Sequence, residues 1–284
     1  MARGSSFGNL SRYDLYELAA QAPEAEARFL RAVHRGAPET LGEDFAGPCG
    51  IARAWLRLDD HHRALCTDRD PEPLEHARER VTRDLGAEAL RRIEFQAADV
   101  REARGRCDVI AALNFAMGEL HTRAELLTYL RHALARLHPR GILVCDTYAG
   151  PDALIPGSYE QRIDSPHGAI HYTWRQVEAD PLTHRVRNAM DFRLPGGIRM
   201  RDAFTYDWRL WTIPELRDAL RDAGFPRTQV YTALAHAHTE SGDPIVIPAL
   251  DDAPDPRDPD DPVELVAPPL EPDEPVVAYI VGRV

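Results

Sequence analysis

The residues best placed to do chemistry are three aspartates, Asp44, Asp68 and Asp99, each closing a run that reads as a β-strand, together with the small-residue turn after the first of them. Glu43-Asp44-Phe45-Ala46-Gly47-Pro48-Cys49-Gly50 passes directly into the helical run 51–58. A strand, an acid, a turn of small residues and a helix form a unit that holds a nucleoside-bearing cofactor beside the helix's positive N-terminus. Gly47 and Gly50 can take positive φ and let a ligand approach the backbone, and Ala46 is the next smallest choice at a crowded position. Asp68 follows Asp44 by 24 residues, where such folds bind ribose hydroxyls. Lying just before Pro71, it could equally cap the next helix. Asp99 can accept from an exocyclic amine such as that of adenine, with Val100 lining one face of the ring.

A second set of polar groups follows the run 107–113, whose nearly continuous apolar character predicts a central parallel strand. It delivers Asn114-Phe115-Ala116-Met117-Gly118-Glu119 to the carboxyl end of the sheet, the side that faces ligand, so Asn114 and Glu119 are candidate site residues. His236-Ala237-His238 places two imidazoles on one side of an extended segment. Spacing fixes no third ligand, so no metal is assigned.

These groups need a scaffold, and its elements alternate. Helices are expected at 13–20, 23–33, 71–85 and 123–137, and strands at 40–45, 64–67, 93–97, 107–113 and 142–148. From 170 to 211 the pattern changes to period two, broken at Asp180-Pro181 and Pro195-Gly196-Gly197, which predicts three antiparallel strands crowded with aromatic residues. These form either a wall over the ligand crevice or the buried face of a small sheet, and Trp174 and Trp208 are the candidate substrate contacts among them. Tyr13, Tyr16 and Gln21, on the leading helices, either cap the crevice or pack on the core. A helix opened by Thr212-Ile213-Pro214-Glu215 ends at Gly224, a strand follows at 228–233, and 276–281 is an apolar last strand. The expected organisation is lid helices at 1–35, a cofactor-binding core at 36–150, an antiparallel insertion at 151–211, and a closing helix and hairpin at 212–284.

Composition removes several chemistries. The chain has no lysine, so all 34 basic side chains are arginine, which excludes a Walker loop, a pyridoxal Schiff base and a lysine nucleophile. The net charge is −12, but 251–275 holds ten acids and eight prolines against one arginine and reads as a mobile loop. No basic cluster suits nucleic acid. No apolar run reaches the roughly 18 residues of a membrane span, and residues 1–12 lack the apolar centre of a signal peptide, so a cytoplasmic protein without a membrane partner is expected. The four cysteines, at 49, 66, 107 and 145, read as reduced core thiols.

Taken in order, the stretch 43–50, Asp68 with Pro71-Glu72-Pro73-Leu74, Asp99-Val100, the strand ending at Asn114-Phe115 and the apolar terminal strand resemble the motifs of class I S-adenosylmethionine-dependent methyltransferases. Asp44-Phe45 and the block 203–215 further resemble a bacterial subgroup of unknown substrate. The resemblance implies an α/β fold: a seven-stranded, mostly parallel Rossmann-like sheet with its last strand antiparallel, plus a small antiparallel β insertion after strand five. It implies S-adenosyl-L-methionine (SAM) as cofactor. Asp44 would orient the turn near the cofactor's amino-acid end, and Ala46, Gly47 and Gly50 would give backbone contact. Asp68, beside Arg69, would bind ribose, Asp99 with Val100 would meet adenine, and Asn114 and Phe115 would contact the cofactor. Ala46 and Pro48 stand where the family has glycines, and Pro48 offers no N–H.

The implied reaction is in-line methyl transfer to a small-molecule acceptor held between the leading helices and the 170–211 sheet. A general base is optional, with Glu119, His121, Tyr148 or Tyr206 as candidates. Two alternatives are a catalytically silent cofactor-binding module and a nicotinamide-dependent oxidoreductase, the latter lacking the three-glycine spacing. The acceptor and the oligomeric state are left open.

Overall fold

The computed structural model describes residues 10–165, 168–251 and 274–284, so the expected acidic loop falls almost wholly outside the described residues. In chain order the first half comprises α1 (Arg12–Ala20), α2 (Pro23–His34), β1 (Thr40–Asp44), α3 (Gly50–Leu58), β2 (Arg63–Asp68), α4 (Pro71–Leu85), β3 (Ile93–Ala97), β4 (Cys107–Ala112), α5 (Arg123–Arg136) and β5 (Leu137–Ala149). The second half comprises β6 (Gly157–Ser165), β7 (Gly168–Asp180), β8 (Arg185–Arg193), β9 (Arg199–Arg209), α6 (Ile213–Ala223), β10 (Arg227–Tyr231), the two-residue strands β11 (Ala237–His238), β12 (Pro244–Ile245) and β13 (Leu250–Asp251), and β14 (Val276–Arg283). The chain divides into two compact units, Ala22–Pro151 with Trp211–Val284, and Met1–Gln21 with Asp152–Leu210.

The larger unit is built on one sheet in the order β13-β10-β14-β5-β4-β1-β2-β3. β1 to β5 pair in parallel, whereas β14 runs antiparallel to both β5 and β10. Alternate residues serve opposite layers, as a pleated strand requires. Val109, Ala111, Ile142 and Val144 pack with Phe29 of α2 and Trp55 of α3, while Ile110, Ala112, Leu143 and Cys145 pack with Tyr129 of α5 and Leu220 of α6. The chain supplies its own helix starts. Thr122 with Glu125 and Thr212 with Glu215 form capping boxes for α5 and α6, and Gly224 closes α6 in the left-handed conformation. Pro139 and Gly141 read as a break in the sequence. Strand β5 nevertheless begins at Leu137, with a register shift between Cys107 and Val109 of β4 absorbing the irregular residues.

Beneath the turn after β1 lies a buried ion pair. Nη1 of Arg136 reaches both oxygens of Asp44, at 3.0 and 2.8 Å, and the Tyr129 hydroxyl donates to Oδ2 at 3.0 Å. Burial pushes the Asp44 carboxyl up and the guanidinium opposes that shift. Strand β1 carries glycine at position 42 because a Cβ there would sit 2.8 Å from Cys107 Sγ and 3.3 Å from Arg136 Nη2. All four cysteines are buried and unpaired. No helix among the described residues is long and apolar enough to cross a membrane.

The smaller unit is a four-stranded antiparallel sheet, β6-β7-β8-β9, one strand more than the period-two pattern predicts. β6 is exposed along most of its length and so shows no apolar alternation. One face carries ion pairs, Arg175 with Asp191 and Asp202, and Arg185 with Asp207. The other is aromatic. α1, capped by Ser11 and Asp14, packs against this aromatic face, with the Tyr13 and Tyr16 rings 5.9 and 5.2 Å from Phe204.

Candidate active site

Sheet order reverses between β1 and β4: the chain builds outward to β3, then returns to place β4 on the other side of β1. In open α/β sheets the crevice at such a switch point, outside the carboxyl ends of the strands, holds the ligand. The backbone is strained at both strand ends. Phe45 and Cys49 after β1, and Asn114 and Phe115 after β4, are left-handed, with φ of 56°, 54°, 61° and 63°. Each such residue costs of order 1 kcal/mol and persists only where its surroundings over-determine it.

Those surroundings are carboxylates. Asp68, at the end of β2, accepts from the Gly47 N–H through Oδ2 at 2.8 Å and from the Asp70 N–H through Oδ1 at 2.9 Å. It therefore folds the turn over the end of its neighbouring strand. The cap of α4 is Asp70, which accepts from the Glu72 N–H, so the alternative reading of Asp68 as a helix cap is replaced. Burial, opposed by these two donors, raises the Asp68 carboxyl above its usual range. Asp146 does for the second loop what Asp68 does for the first: Oδ2 accepts from the Asn114 N–H at 3.0 Å and Oδ1 from the Phe115 N–H at 2.7 Å. The Phe115 ring then meets Tyr148 edge to face at 5.0 Å.

Several expected contacts are corrected by this geometry. Asp44 has no exposed side-chain surface and both its oxygens face Arg136, so it braces the turn from below rather than meeting a ligand. The Ala46 N–H donates to the Thr67 carbonyl and the Gly47 N–H to Asp68, which leaves close approach, not donation, as what these two residues offer. At Gly47 an added Cβ would meet nothing within 4 Å, so open space lies beside the turn, while φ of +49° keeps the position suited to glycine. The N-terminus of α3, where Gly50 is the first residue, is not a vacant anion site. Oε2 of the buried Glu43 takes the Ala52 N–H at 2.7 Å. Asp99 is gripped by Arg101 through Nε and Nη2, which holds its carboxyl down at about 2, and Val100 is packed in the core with α5. Arg69 and Glu119 join the loops after β2 and β4 through an ion pair of 3.0 Å. His121 lies on the half-buried approach to α5. Tyr206 donates to Met190 Sδ at 3.5 Å within the smaller unit, where Trp174 and Trp208 also lie. Tyr13 and Tyr16 are packing residues of that unit's aromatic face. His236 bonds the Ile247 carbonyl, and no three metal-binding side chains come together among the described residues.

Three acids that sequence reasoning gave no role share the layer between the sheet and α2 and α3. Burial, helped by the charge of Asp146, raises Glu26 to about 7, burial raises Glu43 to about 8, and burial raises Asp146 to about 7. Oε2 of Glu26 is buried without a hydrogen-bond partner among the described residues. A carboxyl with a raised folded-state pKa binds protons more tightly folded than unfolded. Its contribution to stability is present in full below its unfolded pKa and is lost as pH rises through the folded value. Stability should therefore fall between about pH 5 and 8, by about 1.4 kcal/mol per pH unit for each group titrating. Glu26→Gln should flatten that slope, the more so because the Glu26 charge also pushes the Glu43 carboxyl up. Urea denaturation of both proteins at pH 5, 6, 7 and 8 checks this, and parallel slopes would refute it.

No family model and no curated protein sequence matches the chain. Solved structures match its fold along nearly its whole length. A SAM-dependent methyltransferase from Clostridium acetobutylicum ATCC 824 superposes with a TM-score of 0.64 at 12% identity, covering 95% of this chain and 96% of that one. An amino pentose methyltransferase from Micromonospora echinaspora involved in calicheamicin biosynthesis, in its SAM-bound form, gives 0.63 at 15%, covering 97% and 98%. A sugar N-methyltransferase from Streptoalloteichus sp ATCC 53650 gives 0.60 at 19%, covering 81% and 92%. The fold is thus that of the class I SAM-dependent methyltransferases, with the Rossmann-like sheet and the separate antiparallel sheet both present.

Proposed function

We propose that the chain is a SAM-dependent methyltransferase that transfers a methyl group to a small-molecule acceptor. The observation that carries the reading is the Asp68 carboxylate clamped on Gly47 at the switch point, beside a turn with open space where a side chain would be. Each carboxylate oxygen has lone pairs beyond the bond it already makes, so Asp68 can hold the turn and accept from ribose hydroxyls together. Gly47 and Gly50 admit the cofactor close to the backbone. Asn114 and Phe115, fixed by Asp146, wall the far side, and Arg69 with Glu119 bridges the rim. Pro48 removes one donor that a glycine would supply.

Bound there, the cofactor supplies an electrophilic methyl sulfonium. The protein's task is then to align the acceptor and exclude water, and alignment alone contributes on the order of 7–11 kcal/mol. A base would add about 10²–10⁴ in rate, with Glu119, His121, Tyr148 and Tyr206 as the residues to test. A small acceptor is favoured by likeness to structures whose named activities concern an amino pentose and a sugar.

Calorimetric titration with SAM and with its demethylated product tests the proposal. Micromolar binding of both, with NAD silent, is the expected result. Binding of NAD alone would replace this reading with that of a nicotinamide oxidoreductase, and silence of all three would refute cofactor binding.

A further inference from the structure

Strand β6 closes the smaller sheet on one side, and among the described residues no strand lies beside its outer edge. Sheet edges are ordinarily blunted by a bulge, a proline, a lysine or a short length, because their unpaired N–H and C=O groups recruit other chains. β6 has none of these devices. It is nine residues long without a proline or a lysine, and its register with β7 runs unbroken from Gly157 to Ser165. The opposite edge is protected. The register of β9 with β8 shifts between Met190 and Phe192, and Asp202 within β9 is left-handed, with φ of 50°.

The sequence of β6, Gly-Ser-Tyr-Glu-Gln-Arg-Ile-Asp-Ser, complements itself when read backwards. Alternate residues of an edge strand turn their N–H and C=O groups outward, so two copies related by a two-fold axis can pair only about a residue, never between two. With the axis at Gln161, the midpoint of the strand, all nine residues are matched. Glu160 of each copy then faces Arg162 of the other, and Tyr159 of each faces Ile163 of the other. Opposite charges and an aromatic ring on a β-branched side chain are both favourable cross-strand pairs. Moving the axis by one residue sets Glu160 against Glu160, or Arg162 against Arg162, and like charges directly opposite are destabilising. Larger shifts leave less of the strand paired.

The two faces of β6 agree with this register. Glu160, Arg162 and Asp164 are exposed on one face, where Arg162 already pairs with Asp164 at 3.0 Å, so the pairing gives it one carboxylate beside it and another across from it. On the other face Tyr159 and Ile163 lie opposite Trp174 and Ile170 of β7, and Tyr159 is 60% exposed. Pairing would continue that apolar layer across the axis, with two Gln161 amides, each a donor and an acceptor, meeting there. A foreign strand would have to carry the same order of charges to fit as well.

We propose that the chain forms a two-fold dimer by antiparallel pairing of β6 with β6 of a second copy, joining two four-stranded sheets into one. Such a contact uses the same patch on both copies and closes on itself, so it gives a dimer and no fibre. It is independent of the methyltransferase reading.

Sedimentation velocity of the full chain across the micromolar range tests the pairing. The parent should sediment as a dimer that dissociates on dilution. Glu160→Arg sets like positive charges opposite each other and Arg162→Glu like negative ones, so each should raise the dimer dissociation constant at least tenfold. The double variant Glu160→Arg with Arg162→Glu restores opposite charges and should recover the dimer. An equimolar mixture of the two single variants should form a heterodimer, since each presents the charge that the other lacks. Both side chains are exposed, so the fold is expected to survive each change, with circular dichroism as the control. A monomeric parent would overturn the proposal, as would a dimer that neither single reversal weakens. Single variants that dissociate but do not combine when mixed would also overturn it, because the loss would then come from something other than this register.

Discussion

Arg136→Met is expected to lose about 3–5 kcal/mol of stability, the largest effect of any single change considered, because it leaves the Asp44 carboxylate buried without its counter-charge. Asp44 has no exposed side-chain surface, and its remaining partner, the Tyr129 hydroxyl at 3.0 Å, donates only one hydrogen bond. Arg136 also donates from Nε to the Gly105 carbonyl at 3.3 Å, so its loss loosens the loop that leads into β4 as well. The double variant Asp44→Leu with Arg136→Met should recover most of the deficit, since an apolar pair of similar volume replaces two desolvated charges. Urea denaturation of the two single variants and the double variant reads this directly. A single-variant loss below about 1 kcal/mol would mean that the pair is screened as a surface bridge is. The consequence would reach the site, because this pair fixes the strand end from which the left-handed turn departs.

Much of the sheet was legible because its strands are apolar runs bounded by acids, turns and proline-led helices. β4, with an almost unbroken run from Val109 to Leu113, could hardly be anything but a central strand. β6 was not legible, since an exposed edge strand has no buried side to imprint a period. The acids at strand ends were legible as polar groups at the site, but not in their roles. Sequence does not tell whether Asp44 points up to a ligand or down to α5, and the deciding residue lies 92 positions away. Asp146 and Asn188 carry a signal of a different kind. Each is a polar residue on the inward period of an apolar strand, after Ile142 and Val144 in one case and between Val186 and Met190 in the other. A polar side chain at an interior position needs a hydrogen-bond partner, from protein or from water. Asp146 has the backbone of Asn114 and Phe115, and Asn188 has no partner among the described residues.

Asp68→Ala is expected to weaken SAM binding at least 100-fold, about 2.7 kcal/mol, while sparing the fold. Two effects act together. The Gly47 and Asp70 N–H groups lose their acceptor, so the strained turn between Phe45 and Cys49 can relax out of the shape that leaves space beside Gly47. The proposed ribose acceptor also disappears. Asp68→Asn separates them: the amide oxygen can still take the Gly47 N–H and hold the turn, while the charged acceptor is gone, and a loss nearer tenfold should result. The backbone pairing of β2 with β1 and β3 does not involve the side chain, and removing a carboxylate that burial already disfavours costs the fold little. Calorimetry on the parent and both variants, with thermal melts as the control, distinguishes the cases. Equal losses in the two variants would assign the effect to the charge at the ribose and leave the turn rigid without its clamp. An Asp68→Ala protein that binds SAM within threefold of the parent would remove Asp68 from the site altogether.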